Sequence, residues 1–234
     1  MLILSFESSA KAAGAALIRD GMLLGEYFQN SGQTHSRTLM KMAGDLLENC
    51  DLTVNDLDAV AVAAGPGSFT GLRIGVAAAK GLAWGREIPC VGVSTLEAMA
   101  RNVAVTDGII VAAMDARRDQ VYNALFAVEN GTFTRLCEDR AISPAELAKD
   151  LEKYEKTKIL VGDGAILCYN TWSENTAKLL LLPEHLRQQR AAGVALAAEE
   201  ALKRGDVPST AELTPNYLRL SQAERERAEK MKQK

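Results

Sequence analysis

The chain has 234 residues, which allows one large domain or two small ones. Its 47% hydrophobic and 24% charged residues exclude a disordered or fibrous chain, and 5% aromatics argue against broad stacking platforms for single-stranded nucleic acid. The 27 basic and 30 acidic residues leave a net charge of -3, whereas a nonspecific nucleic-acid binder is usually clearly basic.

In chain order, Met1–Glu7, Ala13–Ile18 and Met22–Phe28 read as strands. Asp20-Gly21 is a tight-turn signal, so these three predict an antiparallel meander. A dinucleotide-binding domain would instead place a helix directly after its first strand. His35–Asn49 predicts a helix, with Leu39, Met42, Ala43, Leu46 and Leu47 on one stripe. Ala59–Ala64 is almost wholly apolar and predicts a strand buried on both faces. Gly65-Pro66-Gly67-Ser68 breaks it, and a helix follows over about Thr70–Trp84. Ile88–Val93 is the next strand, and Ser94 with Glu97 has the spacing of a reciprocal helix cap.

The strand pattern restarts near residue 104, at Ile109–Met114. Val121–Val128 and Thr132–Leu136 flank Asn130-Gly131, a strong hairpin signal. A helix follows Ser143-Pro144, with Glu146 near its start. Lys158–Val161 is a short strand, and Ala191–Lys203 is a helix ending before Gly205. The expectation is two similar lobes, residues 1–103 and 104–234, with the late helix packing back on the first. Glu224–Lys234 reads as a charged helix or tail, whose basic residues Arg225, Arg227, Lys230, Lys232 and Lys234 could brush a phosphate backbone.

Gly65-Pro66-Gly67-Ser68-Phe69-Thr70-Gly71 joins a buried strand to a helix. Such a junction can present unpaired amides to an anion, or it can be a tight turn in which Gly67 and Gly71 permit packing. It matches neither a P-loop nor a GxGxxG pattern. Glu7-Ser8-Ser9 at the first strand end has hydroxyls for phosphate and a carboxylate for a metal, or is merely a polar turn. His35 and His185 read as structural, and Asp115–Asp119 reads as a solvated loop with ion pairs or as a ligand contact. Cys50, Cys90, Cys137 and Cys168 form no CxxC pair and read as reduced thiols of a cytoplasmic chain. No apolar run reaches the length of a membrane span, and the start lacks a basic signal-peptide segment. Gly75, Ala77, Ala78, Ala79, Gly81 and Gly85 make one helix small-sided. Small residues there permit either close packing against the protein's own sheet or, together with the helix bearing Leu39, Met40, Met42, Leu46 and Leu47, a partner surface. Leu39, Met42 and Leu46 would supply apolar side chains there, while Gly75, Ala78 and Ala79 would leave room for close approach.

Glu7-Ser8-Ser9, the run from Ala64 to Gly75 (AGPGSFTGLRIG), Asp115-Ala-Arg117 and Pro215-Asn216-Tyr217-Leu218-Arg219 together resemble the TsaB family in identity and order. The resemblance implies an α/β, two-lobed fold with mixed sheets, of the actin, hexokinase and Hsp70 type. It implies a noncatalytic role in making threonylcarbamoyladenosine beside the anticodon of tRNA. The implied partners are the catalytic homologue TsaD, the ATPase TsaE through the complex, and tRNA mainly through the assembled complex, with homodimers of the isolated chain. No intrinsic cofactor is implied, since ATP and metal belong to the partner complex. TsaD carries an HxxxH metal motif where this chain has Thr95 and Met99, and an aspartate near the Ala10-Lys11-Ala12 region. Threonine and a thioether do not replace two imidazoles. Glu7, Ser8, Ser9, Gly65, Gly67 and Ser68 then read as a vestigial nucleotide-binding set. The alternative is a nucleotide-dependent phosphotransferase of the same fold. A metalloprotease has no HExxH to support it.

Overall fold

The computed structural model describes residues 1–172, 178–205, 207 and 209–219. The chain opens with strands β1 (Leu2–Glu7), β2 (Ala13–Arg19) and β3 (Met22–Gln29), paired antiparallel. At the β2–β3 turn Asp20 and Gly21 both take positive φ, 50° and 77°, as a two-residue hairpin requires. Helix α1 (His35–Asn49) leads to β4 (Ala59–Gly65), which pairs parallel to β1. Helix α2 (Phe69–Arg86) leads to β5 (Cys90–Ser94), parallel to β4. The sheet order is β3-β2-β1-β4-β5.

After α3 (Thr95–Arg101) the plan repeats. Strands β6 (Gly108–Asp115), β7 (Val121–Glu129) and β8 (Thr132–Arg135) form a second meander, with β9 (Arg140–Ile142) also on β7. Its hairpin turn again uses two positive φ values, at Asn130 and Gly131. Helix α4 (Pro144–Leu151), β10 (Lys158–Val161), α5 (Ala165–Trp172) and β11 (Leu179–Leu181) complete the lobe, followed by α6 (Glu184–Arg187) and α7 (Ala191–Arg204). The order β8-β7-β6-β10-β11 has the same plan as the first sheet. In both, two parallel strands reached through helices extend an antiparallel meander.

Strand alternation sorts the cores. Leu2, Leu4 and Phe6 face α1 and α2, while Ile3 on the opposite face joins Val194, Ala195, Ala197 and Ala198 of α7. In the second lobe Ile110, Ala112 and Met114 meet Leu96, Met99 and Ala100 of α3, while Ile109, Val111 and Ala113 face α4 and α5. The layers therefore run helix, sheet, helix pair, sheet, helix. Helix α7 packs on β1, β2, β4 and β5 of the first sheet and on α3.

Three local expectations change. Helix α2 continues past Gly85 and stops where Glu87 turns left-handed (φ 55°), its amide reaching the Ala83 and Trp84 carbonyls. The cap at Ser94 is one-sided. Ser94 Oγ accepts from the Glu97 amide at 3.2 Å, but the Glu97 carboxylate binds Arg101 and Arg135 instead. The Asp115–Asp119 loop forms no ion pairs among the described residues; Asp115 accepts the Arg117 amide at 2.7 Å. The charged end Glu224–Lys234 lies outside the described residues.

The lobes meet where α7 crosses α3. A Cβ on Gly193 would lie 2.0 Å from the Ala98 carbonyl oxygen and 2.6 Å from Asn102 Nδ2. Gly193→Ala therefore forces the two helices apart. It is expected to lower unfolding free energy by roughly 1–3 kcal/mol, read as an earlier urea midpoint at unchanged m-value. Wild-type stability in that variant would mean the crossing tolerates separation.

Candidate functional site

Three turns converge at the seam between the lobes. The β1–β2 turn begins at Glu7, Ser8 and Ser9, all fully buried. The β4–α2 turn holds Gly65 to Ser68. The β6–β7 turn runs from Asp115 to Gln120.

The first two turns are packed into one another. Ser8 Oγ donates to the Gly71 carbonyl at 2.9 Å, and the Ser68 amide donates to the Ser9 carbonyl at 2.6 Å. A Cβ on Gly67 would lie 2.5 Å from the Ser9 carbonyl oxygen, and one on Gly71 would lie 2.0 Å from that of Ser8. Gly75 faces Ser8 Oγ at 2.3 Å by the same construction. The glycine spacing along the turn and first helical turns thus accommodates the β1–β2 backbone. Ser68 caps α2 by accepting the Gly71 amide at 3.3 Å. Anion contact through these groups was one of the two expected readings. Gly65, Gly67, Ser68, Ser8 and the Ser9 backbone all make internal contacts, as the tight-turn reading expects.

Gly65 meets a further segment. Its φ is 128°, and a Cβ there would fall 2.3 Å from the Asn216 carbonyl oxygen. The Asn216 amide donates to the Ala64 carbonyl at 2.7 Å. This late extended segment, absent from any periodicity reading, covers the turn.

Glu7 is the one fully buried carboxylate among these turns. One oxygen accepts the Ser9 amide at 2.6 Å, while Oε2 has no partner among the described residues. Burial pushes its pKa up to about 7, the charge of Asp163 adds to the rise, and hydrogen bonds from Ser9 and Ser8 oppose it. Thr95 and Met99 are also fully buried, and Met99 packs in the apolar core between α3 and the second sheet. Among the described residues no group of three or more His, Cys, Asp or Glu side chains is placed to hold a metal ion.

Comparisons with known proteins match this architecture over nearly the whole chain. Residues 27–227 match the family model described as TsaD: tRNA N6-adenosine threonylcarbamoyltransferase. The tRNA threonylcarbamoyladenosine biosynthesis protein TsaB of Bacillus subtilis is 34% identical over 96% of each chain. That of Haemophilus influenzae is 30% identical over 94% of each. The chain belongs to the TsaB family. The solved structure of YeaZ from Pseudomonas aeruginosa superposes with a TM-score of 0.77 at 25% identity, covering 93% of this chain and 99% of that one. The fold is the two-lobed, actin-like one with mixed sheets.

In this TsaB-family chain the expected partner helices are adjacent and pack together. The side chains first assigned to the surface divide differently from expectation. Leu39 and Leu46 are 1% and 2% exposed, and Met42, Gly75 and Ala79 are also buried. These groups secure α1 and α2 to their own sheet, where each large side chain contributes roughly 1.5–3 kcal/mol. Only Ala78 of the set is half-exposed. The outward face carries Met40, Gly44, Ala77 and Gly81 instead, all exposed. Added Cβ atoms on Gly44 and Gly81 would meet nothing within 4 Å. Helical spacing identified the stripe, but not which side of it is spent at home. His35 anchors the start of α1 by a 2.8 Å hydrogen bond from Nε2 to the Ala10 carbonyl, and His185 lies in the short α6. Among the described residues no helix is long and apolar enough to cross a membrane.

The buried Glu7 gives a pH test. An unfolded glutamate titrates near 4.5 and this one near 7, so the folded chain holds the proton more tightly. The linked stability is complete below 4.5 and is lost as pH rises through 7, by about 3 kcal/mol at most. Glu7→Gln keeps the acceptor for Ser9 and removes the titration. Urea unfolding from pH 5 to 8 is expected to show a shallower loss in the variant, with the variant the more stable at pH 8. Parallel curves would remove Glu7 as the titrating group.

Proposed function

We propose that this chain is a noncatalytic subunit supporting threonylcarbamoyl transfer to the adenosine adjacent to the tRNA anticodon. It acts by binding the catalytic homologue TsaD, with TsaE joining through the complex and tRNA reached mainly through the assembled particle. The observation that carries this reading is the filled seam. The glycine-rich turn holds the chain's own backbone, and Thr95 and Met99 stand buried where the catalytic homologue is expected to carry imidazoles. The full-length likeness to TsaB proteins supports the same reading. ATP and metal then belong to the partner complex.

The docking surface in this reading is the outward face of α1 and α2. Leu39, Met42, Leu46, Gly75 and Ala79 hold the two helices in place from beneath, while Met40, Gly44, Ala77, Ala78 and Gly81 make the contact. Small residues let the helices of a partner approach closely, giving a four-helix contact. A homodimer of the isolated chain would use the same self-complementary face, so it and the heterodimer would exclude each other.

Reconstitution of tRNA modification with each component left out in turn tests the role. Loss of modification without this chain is expected; full modification without it overturns the reading. Gly81→Arg tests the face separately. In the single chain the new side chain enters open space, and replacing a helix glycine contributes roughly 0.5–1 kcal/mol of stability. In a packed helix contact a buried, unpaired guanidinium costs on the order of 3 kcal/mol, or about 100-fold in affinity. The expected result is a folded variant, at least as thermostable, that neither dimerises nor binds TsaD in size-exclusion and titration measurements. Undiminished binding by a folded variant would move the interface elsewhere.

A further inference from the structure

We propose that residues 210–219 form a latch between the lobes, with Tyr217 and Arg219 as its clasp. The latch sets the conformation of the β6–β7 turn.

Its first half is fixed to the first lobe. Thr210 Oγ1 accepts the Cys90 amide at 3.2 Å. Lys80 Nζ donates to the Ala211 and Leu213 carbonyls, each at 3.0 Å. Leu213 is buried in a notch that exists only because residue 92 is glycine: a Cβ there would lie 2.3 Å from Leu213 Cδ1. Asn216 then binds Ala64 and crosses Gly65, as described above. Tyr217 stacks on Phe69 with centroids 4.7 Å apart. The Arg73 guanidinium lies 3.9 Å above the other contact of that pair, the Phe69 ring, and Arg73 Nε donates to the Tyr217 hydroxyl at 3.0 Å. Phe69 and Arg73, one helical turn apart on α2, thus grip one tyrosine.

Two residues later the same segment reaches the second lobe. Arg219 Nη1 donates to the Ala116 carbonyl at 2.6 Å and to the Arg117 carbonyl at 3.2 Å. The turn it grips is unusual. Arg117, Arg118 and Asp119 all have positive φ, at 61°, 55° and 54°, a run of three side-chain-bearing residues in the left-handed region. Such a conformation persists only where the surroundings over-determine it. Within the turn the constraints are the Asp115–Arg117 contact and the hydrogen bond from the Ala116 amide to the Gln120 carbonyl at 3.0 Å. A further constraint is the charge-assisted pair of bonds from Arg219. One end of the latch is clamped on α2, so the state of that helix start and the state of the strained turn are mechanically joined.

Hydrogen–deuterium exchange on the full chain reads this coupling at a distance. Arg219→Ala is expected to speed exchange in a peptide covering residues 115–121 by on the order of tenfold, as the loss of one partly exposed charge-assisted hydrogen bond implies. Tyr217→Ala touches only the first-lobe end, yet is expected to speed exchange in the same second-lobe peptide. The double variant should add little to either single one, because both release the same element. Protection in β1 and β4 should stay at the wild-type level, which shows that each variant is folded. Unchanged exchange at 115–121 in a folded Arg219→Ala protein would overturn the clasp. A Tyr217→Ala effect confined to residues 64–74 would overturn the coupling, leaving two separate local contacts.

Discussion

The close crossing of α7 over α3 is the contact on which the two-lobe arrangement depends. Each sheet has one face covered by its own outer helices, and each needs something apolar on the other. Helix α7 serves the first sheet and α3 the second, so the two helices must lie between the sheets and against each other. Gly193 removes the side chain at the point of nearest approach, and alanines on both helices keep the layer thin. The alanine-rich composition has its physical use here. Small side chains give less apolar area per residue but allow helix backbones to approach. The entry of α7 is fixed from the far edge of the first sheet. Glu26 of β3 accepts the Ala192 amide at 3.1 Å and Arg190 Nε at 3.0 Å, supplying the cap that Arg190 at the N-cap position does not make with its own side chain.

The run from Gly65 to Gly75 follows from a related steric demand. Three of its glycines lie against the backbone or hydroxyls of Ser8 and Ser9, and the fourth lies under Asn216. A glycine-rich strand-to-helix turn is ambiguous by itself, because a ligand phosphate and a neighbouring main chain impose the same requirement for absent side chains. What separates the two cases is the atom standing where the Cβ would be. In this chain it is protein at each of these four positions, contributed by segments far away in sequence.

That distinction marks the boundary of what was legible beforehand. Hairpins at Asp20-Gly21 and Asn130-Gly131 were legible because positive φ at two adjacent residues is a local requirement. The helix after Ser143 was legible for a similar reason, since Pro144 at its first position and Glu146 in its first turn are local signals. The apolar run at Ala59–Ala64 marked a strand covered on both faces. Helix α5 was missed because AILCYNTW has weak helical alternation, and β11 because a three-residue edge strand carries almost no pattern. The surface assignment of Leu39, Met42 and Leu46 failed for a different reason. An apolar stripe says that one face of a helix is covered, but not whether the cover is the same chain or another. The segment from Leu213 to Arg219 has no periodicity at all, and its partners lie more than a hundred residues earlier.

These elements together make the junction of the β1–β2 and β4–α2 turns an internal seam. Along β1, Ile3 packs on α7 and Ser5 donates to the Ala191 carbonyl at 2.7 Å, so the next inward residue, Glu7, projects into the same interlobe layer. In an open, watered cleft that carboxylate would ionise at its usual pH. Here the β1–β2 turn is sealed by the glycine run and the late segment covers the Gly65 turn. The carboxylate is fully buried, and burial raises its pKa to about 7. The same packing ties the Ser68 amide to the Ser9 carbonyl and the Ser8 hydroxyl to the Gly71 carbonyl. What the fold leaves available on the first lobe's outer side is a pair of helices with exposed small residues, already braced from beneath by Leu39, Met42 and Leu46. Closing the inner site and bracing the outer face are consequences of one packing solution, which is the physical basis for reading this chain as a partner to an enzyme.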